Sequence, residues 1–235
     1  MYEPNLEPNV RPAAIPARSS FRTKTIVSLA MLSAVAYVVM CLSKLMPSVY
    51  GFLDFDFKDT IICIGGFIFG PVAAAMVSIV VAFVEMITIS HTGPWGFLMN
   101  ALATCAFCCT ASFIYKKRHT MKGAVAGLAA GVVVLTAVML LWNYLITPIY
   151  QGMPRKAIAD LLVPVFLPFN LVKGGMNMAV TLLLYKPVVT ALRKAHLVPP
   201  SESGQAKKFN VGFLMFSLAL LATFAVLALV LMEKL

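Results

Sequence analysis

The sequence predicts an all-α integral membrane protein, a bundle of six helices followed by a seventh transmembrane helix near the C-terminal end. Three observations support this prediction. Hydrophobic residues make up 60% of the 235 residues and charged residues only 12%, whereas soluble domains are about half apolar and a quarter charged. Apolar runs recur along the chain, most of them close to the roughly 20 residues that span a bilayer as a helix. Basic residues collect in alternate connections between these runs.

The apolar runs define the elements in order. They cover residues 25–45, 60–70, 71–89, 95–115, 123–146, 161–184 and 211–232. The second run is short, and Gly70-Pro71 separates it from the third. Since proline interrupts a helix and glycine permits a sharp turn, these two runs predict a helical pair joined by a tight turn.

The segments outside the bundle are polar. Residues 1–24 are rich in proline and charge, which predicts a disordered cytoplasmic tail rather than a secretory signal. Residues 25–197 form the predicted six-helix membrane domain, residues 198–210 a polar linker, and residues 211–232 the additional helix. The only polar groups of that last helix, Ser217 and Thr223, can bond to their own helix backbone. We therefore expect it to lie at the edge of the bundle and to take no part in ligand binding.

The distribution of Lys and Arg predicts the orientation. The N-terminal tail, the connection 116–122 and the segment 186–208 carry most of the basic residues, and all three lie on one side if the N-terminus is cytoplasmic. A basic face beside anionic lipid accounts for the net charge of +10, so nucleic acid is not needed as a partner. The expected location is the plasma membrane.

Polar residues inside the apolar runs indicate where function lies. Asn170, Lys173, Asn177 and Thr181 share one stripe of the sixth long run, because they are spaced by three or four residues. An ionised lysine near the bilayer centre costs about 2.5 to 3.5 kcal/mol on insertion scales. A compensating group must therefore lie close to Lys173.

Three further polar residues lie near the outer ends of their runs and, together with the asparagines and the lysine of this stripe, are candidate ligand contacts. Asn143 belongs to the fifth run, Asn100 to the fourth and Glu85 to the third. A Glu85–Lys173 ion pair would compensate both charges without any function. The asparagines favour another interpretation, since a planar heteroaromatic ligand with alternating carbonyl and NH groups needs several amides. Both alternatives remain open on the sequence alone.

Motifs of other functional classes are missing. The chain has no phosphate-binding loop, no HExxH and no intramembrane His or Asp pair, so we predict that it is not an enzyme and that it has no cofactor. The cysteines of CAFCC could bind a metal, but small side chains in helix contacts are the favoured explanation, and no metal site is predicted. Gly123, Gly127 and Gly131 recur every fourth residue and predict close helix packing.

Several motifs together resemble one family. WNYLITPIY, MPRKAIADLLVPVFLPFNLVKGGMN and YKPV are similar to segments of the riboflavin-specific S components of energy-coupling factor (ECF) vitamin transporters, over residues 25–197. The resemblance implies a subunit that binds riboflavin from outside and releases it inside. It also implies a transmembrane T component and two ATP-binding subunits as partners. Asn170 and Lys173 match the NxxK pair of the family that contacts flavin, and Asn143 matches its fifth-span asparagine.

The resemblance extends to the expected docking surface. Ala30 and Ala34 resemble the small-residue motif by which S components dock on the T component, and residues 51–59 correspond to an outer loop that helps to cover the ligand. The seventh helix departs from the family pattern. An S component for a different vitamin or small heteroaromatic compound is the alternative, and FMN binding remains open. A channel would need rings of polar residues, and one polar stripe is too little.

Overall fold

The computed structural model describes residues 18–46, 48, 53–90, 92–195 and 211–234, and all structural statements below concern these residues. They form an all-α membrane protein, as predicted. The helices, in chain order, are α1 (Arg18–Ser43), α2 (Lys58–Phe69), α3 (Pro71–Thr88), α4 (Gly93–Arg118), α5 (Met121–Leu145), α6 (Thr147–Gln151), α7 (Arg155–Leu161), α8 (Leu167–Lys194) and α9 (Val211–Lys234).

The predicted helical pair with a tight turn is confirmed in α2 and α3. Gly70 joins the two helices at a φ of 96°, a conformation that suits a residue without a side chain. Pro71 follows as the first residue of α3, where its missing N–H costs nothing. Every residue of α2 from Lys58 to Phe67 is buried. The 12 residues of α2 are therefore packed among the other helices rather than presented to lipid.

Glycines bring α4 and α5 together, as their spacing predicts. A Cβ at Gly127 would lie 2.7 Å from the carbonyl oxygen of Ala111, and one at Gly131 would lie 2.8 Å from that of Phe107. Both distances are shorter than any normal contact of a methyl group. The backbones of α4 and α5 can approach this closely only because these positions carry no side chain.

Two boundaries differ from the sequence prediction. The helix α1 begins at Arg18, so residues 18–24 are helical rather than part of a disordered tail, while residues 1–17 lie outside the described part of the chain. Charged and hydroxyl side chains do not stop a helix at a membrane surface, because they can extend along it towards water. The helix α8 likewise continues through Pro187 to Lys194, ten residues beyond the predicted end at Leu184.

The connection before α8 is helical rather than a loop. It consists of α6, α7 and one π-helical turn at Leu162–Phe166 that contains Pro164. Pro164 and Pro168 have no N–H to donate, and the wider π-turn lies where they interrupt the hydrogen bonds of a continuous helical path from α7 into α8. The stripe of polar residues on α8 begins directly after this turn.

The predicted seventh transmembrane helix is α9, and it packs against α8. A Cβ at Gly175 of α8 would overlap the ring of Phe224, so the two helices touch there. Ser217 is fully buried and donates its hydroxyl hydrogen to the carbonyl oxygen of Phe213, as expected for a hydroxyl within an apolar helix. The linker predicted at residues 198–210 lies outside the described residues.

Candidate ligand-binding site

Charged side chains gather at one end of the bundle, called here the Lys173 end. At this end α1 and α3 finish, while α2 and α8 begin. The short segment Leu53–Phe57 leads into α2 and contributes two carboxylates. The charged cluster contains three lysines and three carboxylates: Lys44, Lys58, Lys173, Asp54, Asp56 and Glu85.

The six charges form a continuous chain of ion pairs. Lys173 Nζ lies 2.7 Å from Asp56 Oδ2, and Lys58 Nζ lies 3.8 Å from the same oxygen. Lys58 also donates to Glu85 Oε2 at 2.9 Å. Lys44 then connects Glu85, at 3.9 Å, to Asp54, at 2.6 Å. The positive and negative charges balance, which lowers the cost of placing them in a mostly apolar bundle.

Asp56 is the group that compensates Lys173. The alternative of a Glu85–Lys173 pair is wrong, because Glu85 bonds instead to Lys58, and the side chains of these two residues are only 4% and 3% exposed. Asp56 escaped the sequence analysis because it precedes α2 by two residues. The sequence signal for Asp56 was the stretch DFDFKDT, because three carboxylates and one lysine at the start of an apolar run all need partners.

The protonation of Asp56 depends on these neighbours. Burial alone would raise the pKa of this carboxyl, but the charges of Lys173 and Lys58 lower the pKa from its ordinary value of 3.8 to about 2. A lowered pKa means that the folded state favours the ionised form. The ion pairs of Asp56 therefore stabilise the fold above pH 3.8, and this stabilisation is lost as the pH falls towards 2.

Asn177 connects α8 to the start of α2. Its Oδ1 accepts hydrogen bonds from the backbone N–H and the hydroxyl of Thr60, at 3.2 and 3.0 Å. Its Nδ2 donates to the carbonyl oxygens of Asp56, at 2.8 Å, and Lys173, at 3.1 Å. Phe57 has no side chain that could cap α2, so Asn177 provides the cap from another helix. All the hydrogen-bonding capacity of this amide is used within the protein.

Asn143 and Asn170 are buried, and each is 4% exposed. Both donate to a carbonyl oxygen of their own helix at 2.8 Å, Asn143 to Met139 and Asn170 to Phe166. The Oδ1 of Asn143 accepts from the hydroxyl of Thr147. The Oδ1 of Asn170 has no hydrogen-bond partner within the described part of the chain. The helix bonds hold both amides in one orientation, which leaves acceptor capacity at Asn170.

Three buried side-chain polar atoms have no hydrogen-bond partner among the described residues: Oγ of Ser112, Nε1 of Trp142 and Oδ1 of Asp56. Of these, Oδ1 of Asp56 lies beside Lys173, whose Nζ bonds to the other oxygen of the same carboxylate. A buried polar atom without a hydrogen bond costs about 1 to 3 kcal/mol. Unpaired donors and acceptors of this kind are what a polar ligand can satisfy.

The remaining predicted site residue, Asn100, is half-buried on α4. One helical turn further along α4, the hydroxyl of Thr104 donates to Asp59 Oδ1 at 2.7 Å. Thr104 and Asp59 are both buried and neither was predicted from sequence. They extend the polar region from α2 across to α4, so α4 forms part of the wall at this end.

Comparison with known proteins agrees with this architecture. The family model for the substrate-specific component of ECF transporters matches residues 24–185. The chain belongs to this family of S components. A solved bacterial ECF S component superimposes with a TM-score of 0.63 at 30% identity, over 73% of this chain and 99% of the other.

The curated relatives of this S component include two riboflavin transporters. The riboflavin transporter RibU of Staphylococcus aureus (strain TCH60) is 31% identical over 179 residues, which cover 74% of this chain and 94% of the relative. The riboflavin transporter FmnP of Bacillus subtilis (strain 168) is also 31% identical, over 75% of this chain and 99% of the relative. The charged cluster and the four candidate asparagines, Asn100, Asn143, Asn170 and Asn177, lie within residues 24–185, whereas α9 lies beyond them.

The predicted docking residues of the S component face outward. Ala30 and Ala34 are both exposed on α1. Ala34 lines a shallow groove with Ser33 and Tyr37 of α1 and three valines of α3: Val80, Val81 and Val84. Small side chains on an exposed helix face leave room for another helix to approach closely.

The ion pair between Asp56 and Lys173 makes a testable contribution to stability. Asp56→Asn or Lys173→Met alone should lower the stability of the ligand-free protein by about 3 to 5 kcal/mol, because each leaves a buried charge without its closest partner. The double variant should lose less than the sum of the two losses. Thermal unfolding in detergent measures the four proteins of this cycle.

Lys44→Met is the matched control for that cycle. The side chains of Lys44 and Asp54 are 37% and 32% exposed, so removing this pair should cost only about 0 to 1 kcal/mol. Strictly additive losses for Asp56→Asn and Lys173→Met would contradict the assigned pairing.

Proposed function

We propose that this S component binds riboflavin at the Lys173 end and supports its import with energy from partner ATPases. The observation that carries the proposal is the buried Asn170, one helical turn before Lys173 on α8, together with the unpaired Oδ1 of Asp56 beside Lys173. The relatives named as riboflavin transporters support the choice of ligand. The isoalloxazine ring presents alternating carbonyl and NH groups along one edge, and its other end carries a hydroxylated chain.

Each site residue has a distinct role in this proposal. Asn143 and Asn170 pair with the polar edge of the ring, because the bonds to their own helices hold their amides in place. Lys173 donates to a ring carbonyl or a ribityl oxygen. The unpaired Oδ1 of Asp56 accepts from an N–H or O–H of the ligand. Asn100 of α4 contributes a further amide at the wall.

Two residues predicted to bind the ligand have a supporting role instead. The amide of Asn177 has four bonds within the protein, and the carboxylate of Glu85 is paired with Lys58 and Lys44. Neither has a free polar atom to offer without breaking these contacts. We therefore assign them to positioning, Asn177 for the segment that carries Asp56, and Glu85 for Lys58.

The proposed topology places the N-terminus and the basic connections in the cytoplasm and the Lys173 end at the outer face of the plasma membrane. The last turn of α4 carries Lys116, Lys117 and Arg118, which favours a cytoplasmic location for this end of the helix. With this orientation riboflavin enters from outside. The exposed alanines of α1 then offer the T component a surface in the membrane, and the two ATP-binding subunits act through the T component.

Riboflavin binding should depend on Lys173 and Asn170. Lys173→Ala and Asn170→Ala should each weaken binding by about 1 to 3 kcal/mol, because polar groups of the buried ligand lose their partners. Quenching of flavin fluorescence by the purified protein measures the affinity. Lys156→Ala, which removes an exposed lysine of α7, is the control. Wild-type affinity in both site variants would exclude this assignment.

The docking surface can be separated from binding. Ala30→Trp with Ala34→Trp should abolish riboflavin uptake by cells and co-purification with the T component, because large side chains prevent close approach of helices. Flavin affinity should remain unchanged. Ala129→Trp with Val133→Trp, at the same spacing on the exposed face of α5, is the control and should retain uptake. Normal uptake by the α1 variant would show that docking uses another surface.

The topology can be tested by labelling single cysteines after the five native cysteines have been replaced. A cysteine added after Leu235 should react with an impermeant thiol reagent on intact cells, because α9 returns the chain to the outside. A cysteine in place of Lys117 should react only after lysis. The reverse pattern would show the opposite orientation.

A further inference from the structure

The C-terminal helix α9 packs on the same apolar cluster as the segment that carries Asp56. Ala228 of α9 is 4% exposed and belongs to one apolar cluster with Phe55 of that segment and with Phe169, Val172 and Met176 of α8. Leu53 and Phe57, on either side of Phe55, pack against the same cluster. Two further residues of α9, Leu231 and Met232, complete it. The end of α9 and the segment Leu53–Phe57 therefore pack on the same apolar cluster at the start of α8.

Direct contact with α8 fixes the position of the C-terminal half of α9. The ring of Phe224 lies over Gly175, where a Cβ would overlap it. Gly175 is two residues after Lys173 and two before Asn177 on α8. One helical turn beyond Phe224, the small side chain of Ala228 lets α9 come close to Phe55. The rings of Phe55 and Phe169 pack with their centroids 4.9 Å apart.

The segment itself has few other attachments. The backbone N–H of Phe57 donates to Ser43 Oγ at 3.2 Å, and the carbonyl oxygen of Asp56 accepts from Asn177. Its other polar attachments include the ion pairs of Asp54 and Asp56, a hydrogen bond between Asp54 and Ser48, and a single β-bridge at Leu53. The side chains of Phe55 and Asp56 point into two different environments, the first into the apolar cluster with α9 and the second towards Lys173. Any movement of Phe55 therefore displaces Asp56.

We propose that α9 acts as a clamp that positions the segment Leu53–Phe57 and slows the exchange of the bound ligand. This inference rests on the proposed function, because Asp56 and Lys173 are taken as ligand contacts. The helix α9 lies beyond residues 24–185, which the family model matches, so the clamp is an addition to the part of the chain shared with the family. The hydroxyls of Ser217 and Thr223 on α9 bond to their own helix backbone, which agrees with an indirect role, with Phe224 and Ala228 as positioning residues.

Release of a ligand through this end requires the segment to move away from α8. With α9 in place, that movement also breaks the contacts of Phe55, Leu53 and Phe57 with the cluster. The clamp therefore raises the barrier for both entry and release, so weakening it should speed release even where the affinity changes little.

Two neighbouring positions of α9 allow a matched test in the full-length protein. Ala228 is 4% exposed and faces the cluster, whereas Leu229 is 64% exposed and faces away. Ala228→Trp should separate α9 from Phe55 and accelerate riboflavin release about tenfold, since tuning of related complexes is mostly in dissociation. Leu229→Trp should release riboflavin at the wild-type rate. Stopped-flow recovery of flavin fluorescence, well below the melting temperature of each protein, measures the rate.

A second pair of variants removes bulk instead of adding it. Phe224→Ala should also accelerate release, whereas Phe216→Ala, on the exposed face of α9, should not. If α9 only stabilises the fold, Ala228→Trp and Phe224→Ala will lower the melting temperature but leave the release rate unchanged. That result would overturn the clamp while riboflavin binding by the wild-type protein still supports the proposed function.

Hydrogen exchange tests the clamp without any ligand. The backbone amides of residues 53–57 should exchange faster in Ala228→Trp than in wild type, and at the wild-type rate in Leu229→Trp. Unchanged exchange in Ala228→Trp would overturn the clamp. Absence of riboflavin binding by the wild-type protein, together with faster exchange in the variant, would reject the ligand and retain the clamp.

Discussion

The pairing of Lys173 with Asp56 is the constraint on which this end of the molecule depends. An amine within an apolar helix requires a carboxylate close by, and a membrane span offers few. Here the carboxylate comes from the short segment before α2, which must then stay against α8. Lys58 and Glu85 extend the pairing to α2 and α3, and Lys44 extends it to the end of α1. Charge compensation thereby joins four helices.

The buried amides of the bundle differ in how much of their hydrogen-bonding capacity the fold itself uses. Asn177 uses all its polar atoms to cap α2 and to bond the carbonyl oxygens of Asp56 and Lys173. Asn143 and Asn170 use their nitrogen atoms to fix their own orientation. An amide that is held rigidly loses little entropy when a ligand binds, which favours affinity. Oδ1 of Asp56 can accept, and Nε1 of Trp142 can donate, one further hydrogen bond.

Different faces of the bundle carry different tasks. Close packing is provided by glycines, at Gly127 and Gly131 between α4 and α5 and at Gly175 between α8 and α9. The exposed side chains of Ala30 and Ala34 on α1 are small, so another helix can approach α1 closely there. The hydroxyls of α9 bond to their own helix backbone, and Ala228 of α9 belongs to the same apolar cluster as Phe55.

The sequence by itself determined the membrane class, the helical pair at Gly70-Pro71, the glycine contacts of α5 and the stripe around Lys173. Each of these follows from local composition or from periodicity along one helix. Only the tertiary structure decided that Asp56, rather than Glu85, neutralises Lys173, and that Asn177 serves α2. Asp56 and Lys173 are 117 residues apart, so no local pattern relates them. Which of several carboxylates meets a buried amine depends on how the helices pack, and that is a property of the whole bundle.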